Sequence, residues 1–384
     1  MMRKKNLKRL NANSRLSGVS VEQRVNLLQK RIFMVLLVMV LFLGLLTVAR
    51  ARGLLILPQP TVIVDEGNII YLDSLTLEQK IAQMVVVHGA PWNLKPWKAL
   101  QLGGIHLFAL EKKELYPETI EQFQEGMTIP FFVSVDLEGC LNPFGNFKNF
   151  TAAVDIHSVG AAYEKGVEEG RYLHSLGVSH NFAPVVDLGD LLWHCRSFSD
   201  NETVVAELAE AYILGLQKEG VIATAKHYPG KTLVVRDSHT SLVAAVIENR
   251  DLLPYQEVAD SVKAVMVSHL VTSGAVNSQG LPSTVSGEVV QKLELESGYQ
   301  GLIVTDEVMM AGLRSYYSSL DEMYLAVFAA GNDVILNFNE DPTEMERMIT
   351  VVADAVRDGQ IAEKSIDRSV QKILKAKGFV VVVE

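Results

Sequence analysis

The chain predicts an α/β fold of the (β/α)8 barrel type, and three observations carry that expectation. First, eight short apolar, β-branched runs alternate with amphipathic stretches over about 300 residues, the rhythm of strands followed by crossover helices. Second, polar residues fall just after those runs, where the strands of a barrel converge on one mouth. Third, no Gly-rich phosphate loop follows an early strand. A doubly wound open sheet would want one, and Gly103-Gly104 does not supply it.

The eight runs are Met84–Val87, Ile105–Leu110, Phe131–Val135, His180–Val186, Ile222–Ala225, Ala264–Ser268, Gly301–Thr305 and Asp333–Leu336. Helical patterns such as Val167–Leu176 and Val204–Lys218 lie between them. Regular structure is expected to begin near Ser74-Leu75-Thr76-Leu77-Glu78, where Ser74 or Thr76 can cap a helix with an acid in its first turn. Asp136 and Glu138 follow the third run, Asp187 the fourth, Lys226 and His227 the fifth, His269 the sixth and Asp306 the seventh.

Ahead of the barrel, charge and hydropathy divide the chain. Residues 1–31 hold Arg3, Lys4, Lys5, Lys8, Arg9, Arg15, Arg24, Lys30 and Arg31 against the single acid Glu22. Residues 32–49 are an uncharged run rich in Leu, Val, Met and Phe. About 17–25 such residues span a bilayer as a helix. The basic flank predicts a cytoplasmic N-terminus and a body outside the cytoplasm. Ala49-Arg50-Ala51 has the small-x-small form of a signal-peptide cleavage site, so secretion after cleavage is the other reading of this segment. Residues 50–71, with Pro58, Pro60 and Gly67, read as a linker, and 72–384 as the barrel.

Composition excludes several functions. A net charge of -10 over 384 residues, with basic residues concentrated at the N-terminus, argues against nucleic-acid binding. The two cysteines, Cys140 and Cys195, form no C-x-x-C, so zinc-ribbon and thioredoxin readings fail. A metal-dependent barrel hydrolase would want H-x-H on an early strand, and none of the nine histidines supplies it. No cofactor is expected.

The most informative stretch is Lys226-His227-Tyr228-Pro229-Gly230, closing on Asp237-Ser238-His239. An Asp two residues before a His can fold its carboxylate onto the imidazole, setting the tautomer and raising basicity. A loop Asx-turn beside a solvated histidine is the plainer reading. Asp306 emerges from the buried run Gly301–Thr305, which is expensive for a carboxylate unless it is paired or functional. Together these groups suit glycosyl transfer. A retaining glycosidase needs a carboxylate nucleophile and a second group that first gives and then takes a proton. A His held by Asp can be that second group, and Asp136, Arg196, Lys226 and His227 can hold sugar hydroxyls.

These residues resemble the signature of bacterial β-N-acetylglucosaminidases of glycoside hydrolase family 3, K-H-F-P-G-H-G followed by D-S-H at this spacing. Further matches run in order: Leu77–Met84, Val135-Asp136-Leu137-Glu138-Gly139, Phe182–Asp187, Arg196-Ser197-Phe198, Ser268-His269, Pro282–Ser286 and Thr305-Asp306. The resemblance covers roughly residues 72–378 and implies a TIM-type barrel. It implies Asp306 as nucleophile, His239 as acid/base and Asp237 as its partner on a mobile loop. Asp136, Arg196, Lys226 and His227 would bind a terminal N-acetylglucosamine of a peptidoglycan- or chitin-type glycan. The same residues leave open hydrolysis or phosphorolysis, and a weakly active, glycan-binding descendant. The departures cluster at the mouth: Lys231-Thr232 replaces H-G, Leu233-Val234-Val235 replaces more polar residues, and Cys140-Leu141-Asn142 replaces G-R-V. Cys140 and Cys195 both lie in such altered segments, and if their loops touch, a disulfide would brace the mouth.

Overall fold

The computed structural model describes residues 21–51, 62–235 and 241–383. The chain divides into two compact units, residues 1–55 and 56–384. In the first unit a helix runs Val21–Ala51. Among the described residues it is the one helix long and apolar enough to cross a membrane, over Asn26–Leu45.

The second unit is a parallel barrel. Its strands are β1 (Val85–His88), β2 (Gly104–His106), β3 (Phe132–Val135), β4 (His180–Asn181), β5 (Ile222–Tyr228), β6 (Ala264–Val267), β7 (Leu302–Thr305) and β8 (Ile335–Leu336). Each pairs with its sequence neighbour, and β8 returns to β1 through Ile335↔Val85. The last seam, between β7 and β8, is closed by the parallel bridge Val304↔Val334 and by Thr305 N–H donating to Val334 O at 2.9 Å. Asp333 locks this seam. Its Oδ2 accepts from Ile303 N–H and from Lys372 Nζ, both at 2.9 Å. The strands are buried on both faces, as parallel barrels require.

All eight expected strands are present, with differences at their ends: the second, expected to Leu110, stops at His106, and the eighth, expected from Asp333, starts at Ile335. The fourth run, expected to Val186, is a regular strand only at His180–Asn181; beyond it Pro184 has no N–H to donate, and pairing with the fifth strand continues as the isolated bridge Val185↔Lys226. The fifth is longer than expected and runs through Tyr228, so Lys226 and His227 sit on the strand itself. Thr76 is the expected helix cap, in a reciprocal capping box with Gln79. The helices Val159–Leu176 and Glu202–Lys218 cover one side in close contact. Gly166 and Gly215 permit it, since a Cβ on either would sit 2.2 or 2.3 Å from a carbonyl oxygen of the facing helix.

Structure begins before residue 72. Ile69–Tyr71 pairs in parallel with Val380–Val382, joining the two ends of the unit. Ile70 is fully buried there. The apolar C-terminal run is thus the partner of a strand lying in the segment expected to be linker.

Candidate active site

Strand ends build the mouth, as the sequence predicts. A cavity of about 530 Å3 opens there, and Asp136, Glu138, Arg196, Lys226, His227 and Asp306 all line it. Phe108, Phe182, Trp193, Met310 and Phe338 contribute apolar wall. Asp237 and His239 lie outside the described residues.

The charged half of the site is one network. Lys226 Nζ bridges Asp136 Oδ1 at 2.7 Å and Glu138 Oε1 at 2.6 Å. Arg196 forks onto Glu138, with Nε 2.6 Å from Oε2 and Nη2 2.9 Å from Oε1. Lys226, Glu138 and Arg196 are buried, whereas the Asp136 side chain is 41% exposed. Burial alone would raise the Glu138 carboxyl, but the Arg196 and Lys226 charges overcome it and hold the group far below its ordinary 4.5. Asp136 and Glu138 in turn hold Lys226 above its ordinary range against burial. Glu138 therefore neutralises two cations and orients them. Among the described residues, Lys226 and Arg196 keep N–H groups that these bonds do not use, and with the exposed Asp136 they can meet hydroxyls.

Local structure aims these groups. The ladder between β5 and β6 shifts register between Lys226 and Tyr228, and both Lys226 and His227 line the cavity. In a regular strand neighbours face opposite sides, and a bulge is how a strand re-aims one of them. Glu138 is followed by Gly139 at φ +105, where a Cβ would lie 2.2 Å from Thr151 O. Only glycine fits that turn.

Arg196 is carried on a loop organised by Asp190. One Asp190 oxygen accepts from Leu192 and Trp193 N–H, the other from Cys195 and Arg196 N–H, at 2.8–3.1 Å. Trp193 lies against the Arg196 guanidinium at 4.8 Å. The Cys140–Cys195 disulfide then ties this loop to the Glu138 loop, next to Arg196 and two residues from Glu138, with Cα atoms 6.1 Å apart. It closes a 55-residue separation and fixes the distance across which Arg196 meets Glu138.

His227 Nδ1 is held at 3.0 Å by Asp187 Oδ2. A carboxylate only accepts, so Nδ1–H donates to it and Nε2 is the ring nitrogen left for the cavity. Asp306 follows β7. Its backbone N–H donates to Val267 O, and its Oδ1 accepts from Glu307 N–H at 2.9 Å. Behind it, buried His269 donates from Nε2 to Glu307 O at 2.8 Å and meets Thr284 Oγ1 at 2.7 Å through Nδ1. Glu307 Oε1 accepts from Met309 and Phe338 N–H, folding the loop that carries Asp306.

Sequence reasoning did not single out His106. It stacks on Phe182 at 5.4 Å and on Phe338 at 5.0 Å, with Nε2 3.5 Å from Asp136 Oδ2. Its signal is a histidine inside the apolar run Ile105–Leu110, which reads equally as core. Burial pushes the imidazole from 6.5 down to about 4, and burial pushes His180 to about 3. Both stay neutral in the fold, so below pH 6.5 the unfolded chain binds more protons than the native one. Stability is then lost as pH falls from 6.5 toward 4, on the order of 3 kcal/mol for His106 alone. His106→Phe, which keeps the stack, should flatten that slope in urea titrations across this window. A slope equal to wild type would rule the effect out.

The altered segment after Gly230 is anchored at its described end. Leu233 is fully buried, and its carbonyl accepts from Leu191 N–H at 3.0 Å. Lys231 Nζ lies 3.3 Å from both Glu248 and Asp251.

Comparison with known proteins decides the family. The glycosyl hydrolase family 3 N-terminal domain model matches residues 76–376. The chain belongs to glycosyl hydrolase family 3. A β-hexosaminidase A from Pseudoalteromonas piscicida is 32% identical over 289 residues, 66% of this chain and 48% of that protein. A Cellulomonas fimi β-N-acetylglucosaminidase/β-glucosidase is 29% identical, covering 73% of this chain and 53% of its own length. The chain thus spans about half the length of these curated relatives. A solved family 3 glycosyl hydrolase from Mycobacterium smegmatis superposes with a TM-score of 0.73 at 26% identity, covering 80% of this chain and 98% of its own. The family 3 barrel expected from the sequence is the fold observed.

Proposed function

We propose that this family 3 chain is an exo-acting, retaining β-N-acetylglucosaminidase that removes terminal N-acetylglucosamine from peptidoglycan- or chitin-type glycans. The observation that carries the reading is the meeting, in one cavity, of Asp306 with the Asp136–Lys226–Glu138–Arg196 network and His227. The β-hexosaminidase and β-N-acetylglucosaminidase names of the relatives support the sugar. Asp136, Arg196, Lys226 and His227 hold the terminal sugar. An Asp306 oxygen attacks the anomeric carbon as the glycosidic bond breaks, and His239, oriented by Asp237, protonates the departing oxygen. His239 then takes a proton from water, which displaces Asp306 and frees the sugar with its original configuration. The helix over Asn26–Leu45 tethers the barrel to a membrane, on the side away from the cytoplasm.

Proton NMR of the first product tests the mechanism. With a β-N-acetylglucosaminide, the β-anomer should appear first and mutarotate later. First appearance of the α-anomer would refute the covalent route. A second reading, a glycan-binding relative with little turnover, is favoured by the anchoring of Lys231 and Leu233 beside the segment that carries His239. Binding of glycan without any released sugar would support it.

A further inference from the structure

The mouth has two unlike halves. The Asp136–Lys226–Glu138–Arg196 network occupies the ends of β3 to β5. The opposite half, beyond β8, β1 and β2, is aromatic. Phe338 and Phe108 line the cavity with ring centroids 5.4 Å apart, and Phe108 is 45% exposed. Phe108 meets the His88 ring at 4.9 Å, and His88 meets Trp92 at 6.1 Å. Trp92 is 69% exposed, yet it is fixed. Its indole N–H donates to Glu340 Oε2 at 3.0 Å, while Glu340 Oε1 holds His88 Nδ1 at 2.6 Å. Asn93 Nδ2 bonds the Glu340 carbonyl at 3.0 Å, joining the β1 loop to the β8 loop.

Trp92 is thus an exposed indole whose polar edge is already bonded. It leaves a flat apolar face in water, held still, and joined through the His88 ring to Phe108 on the cavity wall. The C–H face of a pyranose ring is a chemically suitable occupant, since it offers apolar area while its hydroxyls point outward to solvent. Ordering is already done, so little entropy opposes binding there.

We propose that Trp92, steadied by Glu340 and His88 and continuous with Phe108, is the stacking wall of a second subsite that takes the leaving-side sugars of a β-linked N-acetylhexosamine oligosaccharide. This rests on the reading of the cavity as the terminal-sugar site, and it adds that the enzyme grips more than one sugar ring.

Titration of chitotriose and of N-acetylglucosamine into full-length Asp306→Asn protein tests it. The trisaccharide should bind more tightly than the monosaccharide, and adding Trp92→Ala should cut that ratio about tenfold. Trp92→Phe, which keeps a flat ring, should retain most of the ratio. An unchanged ratio in Trp92→Ala, a Phe variant as weak as the Ala variant, or no trisaccharide preference in the parent would overturn the subsite. Wild-type turnover of a chromogenic N-acetylglucosaminide is scored separately. No turnover with an intact Trp92-dependent ratio would remove the enzymatic reading and leave the subsite standing.

Discussion

Asp306→Asn should lower turnover of an N-acetylglucosaminide by at least about 10³-fold while leaving the fold and glycan affinity nearly intact. The amide is isosteric, so it can still accept from Glu307 N–H, the bond that Asp306 Oδ1 makes at 2.9 Å. The bond from His269 to the Glu307 carbonyl and those from Met309 and Phe338 N–H to Glu307 Oε1 use no atom that the substitution changes. What the substitution removes is the anionic oxygen that would form the bond to the anomeric carbon. The expected signature is therefore a collapse of kcat with KM changed little, because binding belongs to the charged network across the cavity. Single-turnover kinetics and sugar titration on the same preparation separate the two. A variant that retains a tenth or more of the wild-type rate would move the nucleophile elsewhere. Loss of binding in proportion to loss of rate would make Asp306 a binding residue.

Much of this site was legible in the chain because barrels place chemistry at strand ends, and strand ends can be read as the point where an apolar run meets a charge. Asp136, Lys226, His227 and Asp306 were found that way, and all four line one cavity. What was not legible depends on contacts between distant segments. Glu138 reads as one more strand-end acid until Arg196, 58 residues on, is seen to fork onto it. Trp92 and Glu340 lie 248 residues apart, and neither carries a local signal that the other exists. His106 inside an apolar run is indistinguishable from a core histidine by pattern alone. The pairing of Ile69–Tyr71 with Val380–Val382 joins segments more than 300 residues apart in sequence, so nothing local distinguishes the first from linker. The departures after Gly230 are the opposite case. Leu233 looked like a loss of polarity, and burial explains it as an anchor.

Glu138→Ala should be the most destabilising single change at the mouth, costing about 3–5 kcal/mol. Removing the carboxylate takes both bonds of its fork from Arg196 and, among the described residues, leaves Lys226 paired with Asp136 alone, both cations remaining buried beside each other. Taking one member from a buried ion network costs far more than the network's net contribution, because the uncompensated charges stay out of water. Glu138→Gln keeps the shape and should fall between wild type and Ala. The pH dependence separates this effect from that of the histidines. The folded Glu138 carboxyl sits far below 4.5, since Arg196 and Lys226 outweigh its burial, so it favours the ionised form in the fold. Its contribution is complete above about pH 4.5 and is lost as pH falls from there toward the folded value. His106 and His180 act in the window from 6.5 downward toward 4 and 3. Urea titrations of Glu138→Gln should therefore run parallel to wild type between pH 6.5 and 5 and show a shallower acid slope below 4.5. The cluster would be an incidental surface arrangement if Glu138→Ala cost under about 1 kcal/mol and the acid slope were unchanged.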